Sequence, residues 1–325
     1  PGPVRDIGRR GRLDQSLAPV MTPDYLTQAK DLVTENQFNR LHIDLGNIIT
    51  PLEFAALAKQ ARAGEMPVQT QKWLRRIGRF SPTLIDRPQP WISEVVCDRL
   101  TWYRASTTET GADGTRPRAS RKRTLVGFCG NVGRLMLPLP VVLQSLPAAE
   151  WDVLRVTRIP DAQYLRPGSE VEDFSELIAA VRAELVRSGS GELTCLGTSA
   201  GGGPAMLAAL HLDAKRCISL CGTLPETWLP LLPQLGDGRL PRGEPGPGAW
   251  PKYLFVHGSG HQLDRDNAHT LQSLLGGDIL SVPGVERHNV FHELMLQGRF
   301  NDEFNPLMRG GVRLAEPQAE KHAAP

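Results

Sequence analysis

The sequence has no long apolar run and little net charge. No segment approaches the ~18 continuous apolar residues that a membrane-spanning helix needs, and no charged segment followed by an apolar one marks a secretory signal. Lysine and arginine exceed the acidic residues by only two charges, so no global field favours nucleic acid. We expect a cytoplasmic protein with no membrane span and no nucleic-acid partner.

Cysteine is scarce, and no Cys-x-x-Cys pair occurs. The odd count of five argues against a disulfide framework and against a structural metal site. Four of the five lie in apolar segments that read as strands, where cysteine behaves as a small buried hydrophobe. The composition therefore predicts a reduced protein without metal or cofactor. The five are Cys97, Cys129, Cys195, Cys217 and Cys221.

Residues 1–98 are predicted to form an N-terminal helical extension. Residues 1–20 are expected to be disordered or not native, since Met21 would make a natural start. Thr50 to Glu53 combine an N-cap threonine, a proline at the first helical position and a glutamate three residues after the cap. This is the pattern of a capping box, and it predicts a helix that begins at residue 51.

Residues 99–313 are predicted to form an α/β domain. Strands separated by helices imply parallel pairing with right-handed crossovers, so we expect a doubly wound, mostly parallel sheet. The predicted strands are Arg99–Arg104, Thr124–Cys129, Trp151–Arg158, Leu193–Leu196, Lys215–Cys221, Lys252–Val256 and Ile279–Val282. The predicted helices are Arg134–Leu146, Val171–Val186, Ala205–Leu210, Ala268–Leu275 and Val290–Leu296.

Three segments interrupt or follow this pattern. The polar, basic stretch at 105–123 is expected to be a solvated linker rather than a binding patch. The stretch at 222–250 is rich in proline and glycine, and it predicts either a lid over the site or a long surface excursion. Residues 314–325 are expected to form a disordered tail.

A Gly-x-Ser-x-Gly pentapeptide at residues 197–201 carries the strongest chemical signal. It lies between the predicted strand at 193–196 and the small-residue helix at 205–210. A serine on a sharp strand-to-helix turn projects its hydroxyl at the carboxyl edge of a sheet, and glycines on either side permit the close backbone approach. The frame predicts that Ser199 is a nucleophile on such an elbow.

A serine nucleophile needs a base, and His288 is the preferred candidate. His288 lies in the loop after the last predicted strand, at the edge that carries Ser199. The alternative is that it is an ordinary solvated loop histidine. His292 lies within the following helix, and His211 closes the elbow helix at its far end. His42, His269 and His322 have no supporting context.

The base needs an orienting acid, and two aspartates compete for this role. Both follow the predicted strand Lys252–Val256. Asp266 stands directly before a helical run and is most simply explained as an N-cap. Asp264 is expected in the loop itself, free to reach the imidazole. We therefore prefer Asp264 and leave Asp266 as the alternative.

An oxyanion formed in acyl transfer needs two backbone donors. The amide of Ala200, directly after the nucleophile at a helix start, is the first candidate. The second is expected from the turn after strand Thr124–Cys129, at Gly130 or Asn131, where two glycines flank the asparagine. The alternative is that this segment is only a turn.

The elbow, the glycine-bearing turn after an early strand and the order serine, aspartate, histidine resemble the α/β-hydrolase superfamily. The resemblance covers roughly Arg99 to Phe300 and is to a divergent bacterial serine-hydrolase branch. It implies an α/β-hydrolase fold with Ser199, Asp264 and His288 as nucleophile, acid and base.

Two departures from the family pattern stand out. Many members carry the acid three residues after a glycine that ends the penultimate strand, and counting from Gly258 that place holds His261. The HGGG oxyanion motif of lipases is absent, which argues against that subgroup.

Three functions are compatible with these residues. The first is a serine hydrolase that cleaves a small-molecule ester or thioester through an acyl-enzyme. The second is an acyltransferase or offloading thioesterase, for which the N-terminal region would dock a carrier protein. The third is a non-catalytic binding protein on the same fold. Nucleotide binding is disfavoured, because the glycine-rich segment lacks the Lys-[Ser/Thr] ending of a P-loop.

Overall fold

The computed structural model describes residues 29, 32–63, 66–106, 122–157, 174–223 and 251–311. The predicted disordered N-terminus, most of the linker at 105–123, nearly all of the 222–250 segment and the predicted tail lie outside the described residues. None of the described helices combines the length and apolar character needed to cross a membrane.

The predicted doubly wound, mostly parallel sheet is confirmed. Eight strands follow the order β1-β2-β4-β3-β5-β6-β7-β8. The six strands from β3 onward pair in parallel, whereas β1 and β2 are antiparallel to their neighbours. The strands are β1 (Trp91–Val95), β2 (Leu100–Ala105), β3 (Arg123–Phe128), β4 (Trp151–Val156), β5 (Leu193–Thr198), β6 (Arg216–Leu220), β7 (Lys252–Gly258) and β8 (Asp278–Val282).

Helices cover both faces of this sheet. Central parallel strands are buried on both faces and read as near-continuous apolar runs, as β5 does with all six of its residues buried. The helices are α1 (Glu35–Gly46), α2 (Pro51–Arg62), α3 (Val68–Phe80), α4 (Thr83–Asp86), α5 (Leu139–Gln144), α6 (Phe174–Ser188), α7 (Gly202–His211), α8 (Gln262–Leu275), α9 (Val290–Leu296) and α10 (Phe300–Arg309).

Two apolar clusters form the core, one on each face of the sheet. Helices α6, α7 and α8 bury residues such as Val181, Ala208 and Leu271 in one cluster. The other cluster joins the N-terminal helices to α5, α9 and α10 and includes Phe54 and Phe291. The N-terminal helices therefore share a core with the α/β region.

The capping box predicted at the start of α2 is present. The Thr50 side chain accepts from the backbone N–H of Glu53, and the Glu53 carboxylate accepts from the Thr50 N–H at 2.7 Å. The same device begins α1, where Thr34 and Gln37 cap each other. Local capping fixes where these helices begin, because it satisfies backbone donors that have no partner inside a helix.

Several predicted boundaries are wrong. The helix predicted over Arg134–Leu146 spans only Leu139–Gln144, because a proline at 138 disfavours helical backbone at the residue before it. The helix predicted over Ala268–Leu275 begins six residues earlier, at Gln262. Strand β1 lies inside the segment predicted as a helical extension, and helix α10 follows the one expected to be last.

Candidate active site

Ser199 lies on a strained turn between β5 and α7. Its φ of 51° places a non-glycine residue in the left-handed region, and residues Ser199–Gly201 form a single 3-10 turn. A Cβ atom at Gly197 would lie 2.2 Å from the carbonyl oxygen of Gly201, and one at Gly201 would lie 2.3 Å from that of Phe128. Only glycine fits at either position, so the turn has the geometry of a nucleophile elbow.

The structure brings Ser199, His288 and Asp264 together in a chain of hydrogen bonds. The Nε2 atom of His288 lies 2.9 Å from the Ser199 Oγ. Its Nδ1 atom lies 2.9 Å from Asp264 Oδ1 and 3.0 Å from Oδ2. With Nδ1 protonated and donating to the carboxylate, Nε2 is the acceptor for the serine hydroxyl. The imidazole is therefore oriented as a general base.

Asp264 and His288 differ in how far their side chains are exposed to solvent. The Asp264 side chain is 2% exposed, whereas that of His288 is 42% exposed. The hydrogen bond from His288 to the Asp264 carboxylate raises the pKa of the imidazole above its ordinary value, and this effect outweighs the opposing effect of burial. The carboxylate thus stabilises the protonated form of the imidazole.

Asp264 lies in the first turn of α8, not in a preceding loop as expected. The N-cap of α8 is His261, whose Nδ1 accepts from the Asp264 backbone N–H. Asp266, predicted as a possible N-cap, lies inside this helix and its Oδ1 accepts from the Gln262 side-chain amide at 2.6 Å. Of the two competing aspartates, only Asp264 contacts His288.

The turn after β3 lies against the elbow. A Cβ atom at Gly130 would lie 3.0 Å from the Thr198 carbonyl oxygen, and the Thr198 hydroxyl donates to the Arg134 carbonyl oxygen. The Gly130 N–H donates to that same Arg134 oxygen at 2.8 Å. Gly130 was predicted as an oxyanion donor, and this prediction is wrong because its amide closes the turn. An oxyanion role for Asn131, in the same turn, stays a prediction.

Ala200 keeps its predicted place at the start of the elbow helix. The Ser199 carbonyl oxygen accepts from the N–H of Gly202 and from that of Thr223. The N–H of Ala200 precedes the first hydrogen bonds of the helix, at its positive end, where free donors favour an anion. It has the location that the predicted oxyanion role requires.

Four other histidines of the described residues take no part in this chain of hydrogen bonds. His42 is buried in α1, stacked on Trp73, and burial lowers its pKa to about 4. His211 ends α7, as expected, and His292 lies on α9 beside Phe80. The exposed His269 lies on α8. His322 lies outside the described residues.

One group of side chains in the described part of the chain has spacing suited to a metal ion. It consists of Cys221, Asp264 and His288, with one ligand atom of each within 4.8 Å of the others. Two of its members, Asp264 and His288, are hydrogen-bonded to each other. The Cys221 thiol lies near the same carboxylate, and burial is the main cause of its strongly raised pKa.

Sequence reasoning missed two residues that support the site. Cys221 follows β6 with a φ of 49°, and no local motif marks a thiol that will meet a carboxylate 43 residues later. Asn47 is the C-cap of α1, and its Nδ2 donates to the Val132 carbonyl oxygen at 2.7 Å. Its Oδ1 accepts from Arg134 Nε at 2.8 Å. These contacts depend on docking of the N-terminal helices, which the sequence pattern does not show.

Comparison with known proteins identifies no close relative. No family model matches the chain, and no curated protein matches its sequence. Among solved structures, the chain is similar to MGS-MChE2, an alpha/beta hydrolase enzyme from the metagenome of sediments of the Mar Chica lagoon in Morocco. The two are 13% identical with a TM-score of 0.42, and the match covers 68% of this chain and 97% of the other.

Two further solved structures are similar to a comparable degree. XC6422 from Xanthomonas campestris, described as a serine hydrolase without a lid, is 15% identical with a TM-score of 0.40 over 71% of this chain and 98% of its own. The putative alpha/beta hydrolase ATU1826 from Agrobacterium tumefaciens is 14% identical with a TM-score of 0.42, over 70% and 100%. Values this low identify neither substrate nor catalytic residues.

The interpretation of the site rests on the chain's own geometry. A mostly parallel eight-stranded sheet carries a serine on an elbow after β5, an aspartate after β7 and a histidine after β8. This arrangement is the α/β-hydrolase fold that the resemblance implies.

Proposed function

We propose that this chain is a serine hydrolase of the α/β-hydrolase superfamily, which cleaves a carboxylic ester or thioester through an acyl-enzyme. One observation carries the proposal. A continuous chain of hydrogen bonds runs from the Ser199 hydroxyl through the His288 imidazole to a buried Asp264 carboxylate. His288 lies 24 positions after Asp264 and 89 positions after Ser199 in the chain. The hydrogen bonds connect serine to histidine and histidine to aspartate, which is the order that activates a serine.

Acylation begins with attack of Ser199 Oγ on the substrate carbonyl carbon. His288 Nε2 takes the hydroxyl proton as the new C–O bond forms, and the carbonyl electron pair moves to oxygen. The resulting imidazolium is stabilised by Asp264. When the tetrahedral intermediate collapses, the bond to the leaving alcohol or thiol breaks, and His288 returns the proton to that leaving group.

The oxyanion of the intermediate is assigned to backbone donors on the two turns that flank Ser199. The Ala200 N–H at the start of α7 is the first, and the Asn131 N–H in the turn after β3 is the second. Preorganised donors of this kind contribute to catalysis because they stabilise charge that develops only in the transition state. Removing one such donor typically costs about 10²–10³-fold in kcat.

Deacylation repeats the same proton transfers with water as the nucleophile. His288 takes a proton from water as the oxygen attacks the acyl carbon, and it returns that proton to Ser199 Oγ when the ester bond breaks. The acid is released and the free enzyme is restored. An alcohol or amine in place of water would instead give an acyl-transfer product.

Labelling with a fluorophosphonate probe tests the nucleophile directly. The folded protein is expected to gain one covalent label, and peptide mapping should place it on Ser199. The Ser199→Ala variant should stay unlabelled, while Ser190→Ala, at the amino edge of the sheet, should label like the parent. Absence of labelling in folded parent protein would refute the proposal and favour a non-catalytic binding protein.

Turnover of model substrates then separates hydrolysis from transfer. Short p-nitrophenyl esters and acyl thioesters should be hydrolysed, and Ser199→Ala should lower kcat/KM by at least about 10³-fold. Product analysis with added alcohols and amines reports the acceptor. Acyl transfer as the dominant outcome would replace hydrolysis by the transferase alternative.

A further inference from the structure

Arg76 lies on a face of α3 that also carries Trp73 and Phe80. These residues are three and four positions apart, the spacing that places side chains on one face of a helix. Trp73, at one end of this face, lies close to Arg134 of the turn after β3. A Cβ atom at Gly46 would lie 3.5 Å from Trp73 Cζ2 and 3.4 Å from Arg134 Nη2. The Arg134 guanidinium therefore lies beside this face of α3.

The other end of the same face contacts α9. The rings of Phe80 and His292 meet edge to face, with their centroids 6.3 Å apart. Arg76 precedes Phe80 by about one helical turn, so it lies between the Arg134 end and the His292 end of the face. Burial is the main cause that lowers the pKa of Arg134 and of His292, and the charge of Arg76 lowers both further. Arg76 is thus close to both residues.

Both ends of this face adjoin the catalytic residues. The Arg134 carbonyl oxygen accepts from the hydroxyl of Thr198, the residue directly before Ser199. His292 lies in the first turn of α9, four positions after His288. The part of α3 between these two ends therefore borders the site at the carboxyl edge of the sheet.

The carboxylates near this face leave Arg76 without a partner. Arg76 is exposed, and among the residues that the structure describes it has no hydrogen bond and no ion pair. At Arg134, repulsion by Arg76 outweighs attraction by Asp44. On α9, Glu293 Oε1 lies 3.8 Å from Arg287 Nη1 and already has a cation beside it. The guanidinium of Arg76 is therefore available to an anion from solvent.

We propose that Arg76 binds an anionic group, a carboxylate or a phosphate, of the substrate that Ser199 attacks. A guanidinium binds such groups through two parallel hydrogen bonds, and positive charge around a cleft raises the local concentration of an anionic substrate. The substrate class is therefore an ester or thioester that carries a negative charge. This inference rests on the proposed serine-hydrolase function, because it names the substrate of the same site.

Pairs of p-nitrophenyl esters that differ by one charge test this inference. The mono-p-nitrophenyl esters of succinate, glutarate, adipate and pimelate carry a free carboxylate at increasing reach, and their methyl esters are neutral with the same acyl chains. In the parent we expect a higher kcat/KM for the anionic member of the best pair. Arg76→Gln should lower the ratio of anionic to neutral kcat/KM by about 10- to 100-fold, the size of a hydrogen bond to a charged group.

Two further measurements separate charge from geometry. Arg76→Lys keeps the charge but not the planar fork, so it should lower the ratio less than Arg76→Gln does. Sodium chloride should lower the ratio in the parent, because salt screens exposed charges. A ratio that is the same in Arg76→Gln as in the parent would overturn the proposal. An equal loss for both members of a pair would overturn it as well, since it would show a general role in the site.

Arg75→Gln is the matched control. Arg75 is an exposed arginine on the same helix, and its Nη2 donates to the Gln71 side chain on another face. It removes the same charge one position away, and both rates and their ratio should stay at the parent values. A loss of the ratio in Arg75→Gln equal to that in Arg76→Gln would show that only the total charge of the helix matters.

Competition experiments identify the anion. Adipate and inorganic phosphate are tested as inhibitors of neutral-ester hydrolysis in the parent and in Arg76→Gln. The anion whose inhibition is weakened in Arg76→Gln is the group that the site takes. If neither anion inhibits in a manner that depends on Arg76, the proposal is contradicted.

Failure of this inference can be distinguished from failure of the proposed function. A parent protein that takes no fluorophosphonate label and hydrolyses no ester refutes the serine-hydrolase function. Calorimetric titration of adipate and phosphate into the parent and into Arg76→Gln then tests the anion site by itself. A parent that hydrolyses neutral esters but whose charge preference does not depend on Arg76 refutes only the anion site.

Discussion

At the scale of single residues, two of the four described non-glycine residues with positive φ lie beside the site. Ser199 directly follows β5, and Cys221 directly follows its parallel neighbour β6. Such conformations cost of order 1–3 kcal/mol each and persist only where the surroundings enforce them. Ser199 Oγ lies 2.9 Å from His288 Nε2, and the Cys221 thiol lies within 4.8 Å of an Asp264 carboxylate oxygen. The strained backbone at these two strand ends therefore lies next to the hydrogen-bonded pair of Asp264 and His288.

The Asp264→Asn variant tests whether Asp264, rather than Asp266, is the acid that orients His288. The asparagine carries no negative charge, and its amide N–H can donate to Nδ1 and so favour the wrong tautomer of His288. We therefore expect kcat to fall by about 10⁴-fold. The bond to Asp264 raises the pKa of His288, and activity requires its neutral form. Activity is therefore lost as pH falls through this raised pKa, and in the variant that loss should move to lower pH. A profile of kcat/KM against pH measures both effects.

Asp266→Asn is the matched control for this prediction. Asp266 contacts the exposed Gln262 and not the imidazole, so rate and pH profile should both stay at the parent values. A large loss in this variant with little effect of Asp264→Asn would reverse the assignment of the acid.

At the scale of elements, the ends of helices and strands build the site. The end of β5 and the start of α7 form the turn that carries Ser199, and the first turn of α8 carries Asp264. The end of α1 supports the turn after β3 through the two hydrogen bonds of Asn47. Arg134 donates one of these two bonds from its Nε, and its carbonyl oxygen accepts from Gly130 and Thr198. Hydrogen bonds thereby connect the end of α1, through the turn after β3, to the residue directly before Ser199.

Asn47→Ala should weaken catalysis from outside the triad. Losing both hydrogen bonds leaves the turn after β3 less well held, and small displacements of oxyanion donors are costly. We expect kcat to fall by about tenfold with KM changed less than kcat. The exposed Asn39→Ala, on the same helix, is the control and should be neutral. Parental kcat in Asn47→Ala would show that this helix end does not support the oxyanion turn.

At the scale of the whole molecule, the N-terminal helices and the sheet share one apolar cluster. Phe54 of α2 is completely buried and lies in the same cluster as Leu139 of α5 and Phe291 of α9. Trp91 of β1 is also buried there, and its indole N–H donates to the Leu143 carbonyl oxygen at 2.8 Å. A cluster with contributions from both regions predicts that they unfold together.

Phe54→Ala tests this shared core. Removing a fully buried phenylalanine costs about 3–5 kcal/mol, whereas Leu52→Ala on the same helix should cost little because Leu52 is 38% exposed. We expect one lower denaturation midpoint in Phe54→Ala, seen at the same denaturant concentration by circular dichroism and by loss of Ser199 labelling. Two separate transitions would show that the N-terminal helices form an independent unit.

Local patterns explain which features were predictable. The capping box at Thr50, the elbow at residues 197–201 and the alternation of strands and helices each depend on neighbours within a few residues. Chain order and the shared carboxyl edge of parallel strands predict that Ser199, Asp264 and His288 come together, as their hydrogen bonds show. Strand β1 was missed because four of its five residues are exposed, so it carries no clear apolar pattern.

The sequence by itself determined the α/β fold class, the elbow and the three residues that now meet at the site, because each depends on short-range backbone preferences and on strand order. Only the tertiary structure placed Asp264 rather than Asp266 against His288, engaged the Gly130 N–H within its own turn and brought His261, Cys221 and Asn47 to their neighbours. Those outcomes depend on distances of a few ångströms between segments far apart in the chain. Side-chain packing and hydrogen bonding across those segments set such distances, and no local pattern encodes them.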